Sequence, residues 1–172
     1  MNNKRKLIIC VIGIILFGAV AAVLFGGNCV LNGCLSENRI KDFDSVMPYF
    51  QTVADDLLLF RSKTDHSPAS DGAFVVSLSY DSESEKYYLE YEGDIIGEGE
   101  AVEQIADAFD NDSRLYQIRV YDGYVDFRNK HGDFSVVYTA GGERPTHLFY
   151  YGGRVKADCV IKENDNWYQV FI

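Results

Sequence analysis

The first long apolar block runs from Leu7 to Phe25, nineteen residues without a charge. As a helix it would measure about 28 Å, against roughly 30 Å for the hydrocarbon core of a bilayer. Lys4, Arg5 and Lys6 precede it, and no Lys or Arg follows until Arg39. This asymmetry predicts a basic cytoplasmic N-terminus over 1–6, a single-pass transmembrane helix over 7–25 and an extracytoplasmic remainder. Residues 26–36 read as a flexible linker, because Gly26, Gly27 and Gly33 break the helix.

Beyond the linker the apolar positions recur at spacings of three and four. Phe43, Val46, Phe50, Val53, Leu57 and Phe60 form one stripe, which predicts a core-packed helix over 37–61. Pro48 is compatible with it if the main helix starts near Asp44 or Ser45, either of which can cap it. The pattern then switches to alternation. Phe74, Val76, Leu78 and Tyr80 share one face of a strand, and Tyr87, Leu89 and Tyr91 share one face of the next, joined as a hairpin. A second helix is predicted from about Glu98 to Phe109, with Val102, Ile105, Ala106 and Phe109 on one face.

Six further strands are predicted over 115–121, 124–128, 134–139, 146–151, 154–162 and 166–172, separated by Gly, Asp and Asn turn pairs. Connections this short imply antiparallel neighbours. The expected fold class is α+β: an N-terminal transmembrane helix, then one domain over 37–172 in which two amphipathic helices pack on a mainly antiparallel meander. The order of elements resembles pilin-like and secretion-system scaffold subunits in architecture alone, and the glycine break after Phe25 argues against one continuous pilin-type helix.

Asp122-Gly123 predicts a two-residue turn of type I′. Tyr121 then opposes Tyr124, Arg119 opposes Asp126 and Gln117 opposes Arg128 on a polar face. Val120 opposes Val125 and Ile118 opposes Phe127 on a buried one. A slip of one residue would undo both matches. The tip would hold Tyr121 and Tyr124 side by side in solvent beside an Arg–Asp pair.

Charge sharpens the picture. All 26 acidic residues follow the anchor and three of the 16 basic ones precede it, so the outer domain carries −13. Such a domain repels nucleic acid and anionic lipid. Of the four cysteines, Cys10 lies in the apolar block and Cys159 on an inward strand position. Cys29 and Cys34 could close a disulfide outside the cytoplasm. Two alternatives to a retained anchor exist. Ala19-Val20-Ala21 offers a signal-peptide cleavage site, and Leu31-Asn32-Gly33-Cys34 resembles a lipobox whose cysteine would be lipidated. All three readings place the domain outside the cytoplasm.

No G-x-S-x-G, H-E-x-x-H, phosphate loop or dinucleotide glycine pattern occurs in the sequence. His66 and His131 fall in loops, and His147 shares a strand face with Phe149 and Tyr151. Asp110, Asn111 and Asp112 lack the glycine and distal glutamate of a calcium loop. No catalytic residue, metal ligand set or cofactor is singled out. Of twelve tyrosines, those at 80, 87, 91, 116, 138 and 151 are expected inward, and Tyr88, Tyr121, Tyr124 and Tyr150 outward. Outward tyrosines on a rigid sheet suit protein recognition. The sequence therefore predicts a membrane-anchored, non-enzymatic domain that binds a protein partner through Tyr121, Tyr124, Tyr88, Arg119 and Asp126. The alternatives are a secreted or lipid-anchored hydrolase and a small-ligand module using the concavity between helices and sheet.

Overall fold

A computed structural model describes residues 39–64, 69, 72–109, 114–145, 149–150, 153–154 and 160–171. The chain divides after Ser36, and the second unit is Glu37–Ile172. Among the described residues no helix is long and apolar enough to cross a membrane. The expected transmembrane segment, the linker, all four cysteines, His66, His147 and residues 110–113 lie outside them.

The second unit is α+β: two helices pack on one face of an eight-stranded antiparallel sheet. Helix α1 spans Phe43–Lys63 and buries Phe43, Phe50, Val53, Ala54 and Leu57. Its start departs from expectation. Residues Arg39 to Asp42 are not helical, so the predicted first turn from 37 is absent from the described part. Asp42 is the N-cap without a side-chain bond, while Asp44 and Ser45 lie inside the helix. Instead Ser45 donates both its amide and its hydroxyl to the Asp42 carbonyl, at 3.2 and 2.8 Å. Pro48 therefore sits in the second turn, where it cannot donate to the Asp44 carbonyl.

Strands β1 (Phe74–Asp81) and β2 (Lys86–Tyr91) form the expected hairpin. Strand β3 (Asp94–Glu98) was not foreshadowed by the pattern. It follows a tight turn in which Glu92 and Gly93 both take positive φ, 51° and 91°, the backbone that a type I′ turn requires. Helix α2 (Glu100–Ala108) then crosses back, so that β4 (Leu115–Tyr121) pairs with β1 rather than with β3. Strands β5 (Tyr124–Asn129) and β6 (Phe134–Thr139) continue from β4. A small separate ladder joins β7 (Phe149–Tyr150) to β8 (Gly153–Arg154). Strand β9 (Val160–Lys162) takes the far edge, and β10 (Trp167–Phe171) inserts between it and β6.

The strand order is β3-β2-β1-β4-β5-β6-β10-β9. A simple meander is thus corrected to two meanders that α2 joins back to back, plus a final hairpin that enters by its second strand.

The helix-facing side of the sheet carries Phe74, Val76, Ile118, Val120, Val125, Phe127, Phe134 and Val136, all fully buried. Phe50 stands at the centre of this core. Its ring lies 5.0 Å from Phe127, 5.5 Å from Phe43 and 5.9 Å from Trp167. Strands β5, β6 and β10 are buried on both faces, because the reverse side holds a second apolar cluster of Val137, Val160, Tyr168 and Val170.

Candidate functional site

The β4–β5 hairpin has the register that its sequence dictates. Tyr121 opposes Tyr124, Val120 opposes Val125, Arg119 opposes Asp126, Ile118 opposes Phe127 and Gln117 opposes Arg128. The turn type is different. Gly123 has φ 81°, but Asp122 is not in the positive-φ region, so the loop is not type I′. Only one of the two central residues needs the left-handed region, and glycine occupies that place.

The Tyr121 and Tyr124 rings stack, with centroids 4.2 Å apart and planes inclined by 15°. Both are half-buried rather than free in solvent, and Tyr124 packs against the second apolar cluster. Arg119 donates Nε–H to the Tyr121 hydroxyl at 3.2 Å. Asp126 corrects the expected solvated pair more strongly. It is fully buried and accepts from Arg128 Nε at 2.6 Å, with Arg128 also buried. The alternation assigned these residues to the right face, but that face is covered. Tyr88 shares the face but lies on β2, opposite Ser79, near the other end of β4 from Tyr121. The structure therefore brings Tyr121, Tyr124, Arg119 and Asp126 together and leaves Tyr88 apart.

The tip is pinned to α1. Arg61 donates from Nε to Asp122 Oδ1 at 3.0 Å and from Nη1 to the Val120 carbonyl at 3.2 Å. Its second Nη lies 3.0 Å from the same carboxylate. An open groove of about 300 Å³ runs between the two elements, lined by Leu58, Arg61, Ser62, Tyr121, Asp122 and Gly123.

A second place emerges that the pattern of the sequence did not mark. Leu115 opposes Asn129 and Gln117 opposes Arg128, so Tyr116 is an extra residue in β4, a β-bulge. The bulge turns Leu115 into the core and throws Tyr116 out to 58% exposure. Tyr80, also expected inward, is 53% exposed where it faces Tyr87. Arg114, Leu115, Tyr116 and Lys130 meet Leu78, Tyr80, Tyr87 and Ala106 around a cavity of about 240 Å³. A bulge leaves no trace in a hydrophobic pattern, so the exposure of Tyr116 is not legible in the sequence.

Titration is perturbed at two exposed turns. The Ser84 hydroxyl and then the Glu83 amide, at 2.6 and 2.9 Å, hold the Asp81 carboxyl below its ordinary value. Desolvation raises the Tyr91 phenol, and its hydrogen bond to Glu92 and that carboxylate's charge add to the rise. Among the described residues no three His, Cys, Asp or Glu side chains converge as a metal site. His131 is exposed on the β5–β6 turn.

The chain matches no protein-family model, no curated protein and no solved structure.

Proposed function

We propose that the chain is a membrane-anchored, non-enzymatic domain that works outside the cytoplasm and binds a protein partner through the β4–β5 tip, as an accessory, assembly or protective subunit. The observation that carries this reading is the stacked Tyr121–Tyr124 pair on a hairpin held to α1 by Arg61. Two amphipathic rings already fixed in one geometry lose little conformational entropy on docking. Each is only half-buried. The Leu58–Asp122 groove beside them adds apolar and ionic surface. Membrane attachment rests on the length of the Leu7–Phe25 block and its Lys4–Lys6 flank.

Two measurements test the proposal. In the double variant Tyr121→Ser with Tyr124→Ser, cross-linking in the native membrane should lose the partner. Unfolding stability should fall by more than the roughly 0.2–1 kcal/mol of a cross-strand pair, because Tyr124 also packs on the second apolar cluster, so recovery is compared where both chains are folded. Partner recovery equal to that of the parent chain removes the tip from the function. For topology, protease added to sealed cells should degrade residues 37–172. Protection of the domain in intact cells overturns the extracytoplasmic reading.

A further inference from the structure

The cavity at the start of β4 is separate from the β4–β5 tip, at the other end of the same strand. Its walls are aromatic. Tyr80 and Tyr87 oppose each other on β1 and β2 with ring centroids 4.9 Å apart, and Tyr116 stands across from them on its bulge. Leu78, Leu115 and the small side chain of Ala106 supply apolar surface beneath. Helix α2 ends at Ala108, and among the described residues only its Ala106 lines the cavity from the helical layer. A β-bulge is a recurrent means of re-aiming one side chain toward a site.

The rim is cationic. Arg114 and Lys130 are neighbours across β4 and β5, where the Lys130 amide donates to the Arg114 carbonyl at 2.9 Å. Both side chains are exposed, and among the described residues neither makes an ion pair. The second unit holds twice as many acidic as basic residues, yet two basic side chains stand together here with no carboxylate among the described lining residues. An apolar aromatic slot with a few convergent charges at its mouth has the make-up of a small-molecule site.

We propose that this cavity binds a small ligand carrying an aromatic ring and a carboxylate. The ring enters between Tyr80, Tyr87 and Tyr116, where offset or edge-on contact between aromatic rings is favourable. The carboxylate lies against Arg114 and Lys130 through charge-assisted hydrogen bonds. The same chemistry is offered by a free aryl acid and by an aromatic residue at the C-terminus of a peptide.

The test uses the purified full chain and three probes: phenylacetate, N-acetyl-phenylalanine and N-acetyl-phenylalanine amide. Calorimetric titration should give saturable binding of both acids at dissociation constants in the millimolar range or below, with the amide at least about tenfold weaker. Tighter binding of N-acetyl-phenylalanine assigns the site to peptide ends, and tighter binding of phenylacetate assigns it to free aryl acids. In the variant Arg114→Gln with Lys130→Gln the preference for acid over amide should vanish. Both side chains are exposed, so folding should survive. Tyr116→Ala should weaken acid and amide alike, and Tyr121→Ser with Tyr124→Ser should leave acid binding unchanged. No saturable binding of either acid below about 10 mM overturns the proposal, as does equal affinity for acid and amide in the parent chain.

Discussion

Gly142 is the position where one atom decides most. Its φ is 68°, and a Cβ there would stand 2.8 Å from the Asp165 carbonyl oxygen. Its own carbonyl accepts the Tyr168 hydroxyl at 2.6 Å, which ties the β6 exit to the second apolar cluster. Gly142→Ala thus combines left-handed strain with a clash against backbone that cannot rotate away. The expected cost is about 2 kcal/mol or more in urea unfolding. A cost under about 0.5 kcal/mol would mean that the 139–145 loop moves aside without penalty. The sequence marked Gly141-Gly142 as a turn, yet it held no clue to which glycine the approach of Asp165 requires. Asp126 teaches the same lesson. Alternation assigns a side chain to a face, but only tertiary packing says whether that face is wet, and here it is dry.

At the scale of elements, long and strongly periodic segments were legible and short ones were not. The stripe of α1, the β1–β2 hairpin and the β4–β5 register follow from spacing and turn chemistry alone. Strand β3 did not, because Asp94-Ile95-Ile96-Gly97-Glu98 has only two strand-favouring residues between acidic and glycine neighbours. It is held by pairing with β2 rather than by its own preference. The start of α1 was misplaced because Asp44 and Ser45 are good caps in isolation, whereas Phe43 is drawn inward to ring contacts with Phe50 and Trp167. That packing makes Phe43 the first helical residue, ahead of both candidate caps. Leu57, on the same stripe, is 3% exposed, and Leu57→Ala should cost about 2–5 kcal/mol by thermal or urea unfolding. A cost below about 0.5 kcal/mol would make the stripe a surface rather than core.

For the molecule as a whole, the strand order was the least legible feature, since it depends on α2 carrying the chain back over β2 and on β10 entering inside β9. One residue locks that closure. Gln169, fully buried on β10, accepts the Ile40 amide and donates to the Ile40 carbonyl, both at 2.9 Å. It also donates to Glu163 at 2.8 Å, and Glu163 meets Arg39 at 3.1 Å. A side-chain amide here does what a neighbouring strand would do: it satisfies both backbone groups of Ile40 at the helix-facing side of the sheet. The contact spans 129 positions and fastens the chain just ahead of α1 to the last strand. Gln169→Leu keeps the apolar volume and removes the amide. It leaves the Ile40 N–H and C=O without their partner, at roughly 1–3 kcal/mol for each buried group. Hydrogen exchange on the full chain should then show the Ile40 amide losing protection while the β5 and β6 amides keep theirs. Gln169→Glu separates the two halves of the contact, because a carboxylate can still accept from the Ile40 amide but cannot donate to its carbonyl. It should restore part of the protection at Ile40 despite the added charge beside Glu163. If Ile40 stays protected in Gln169→Leu, the segment is held by Phe43 packing on Trp167, and the fold closes through apolar contact rather than through the amide.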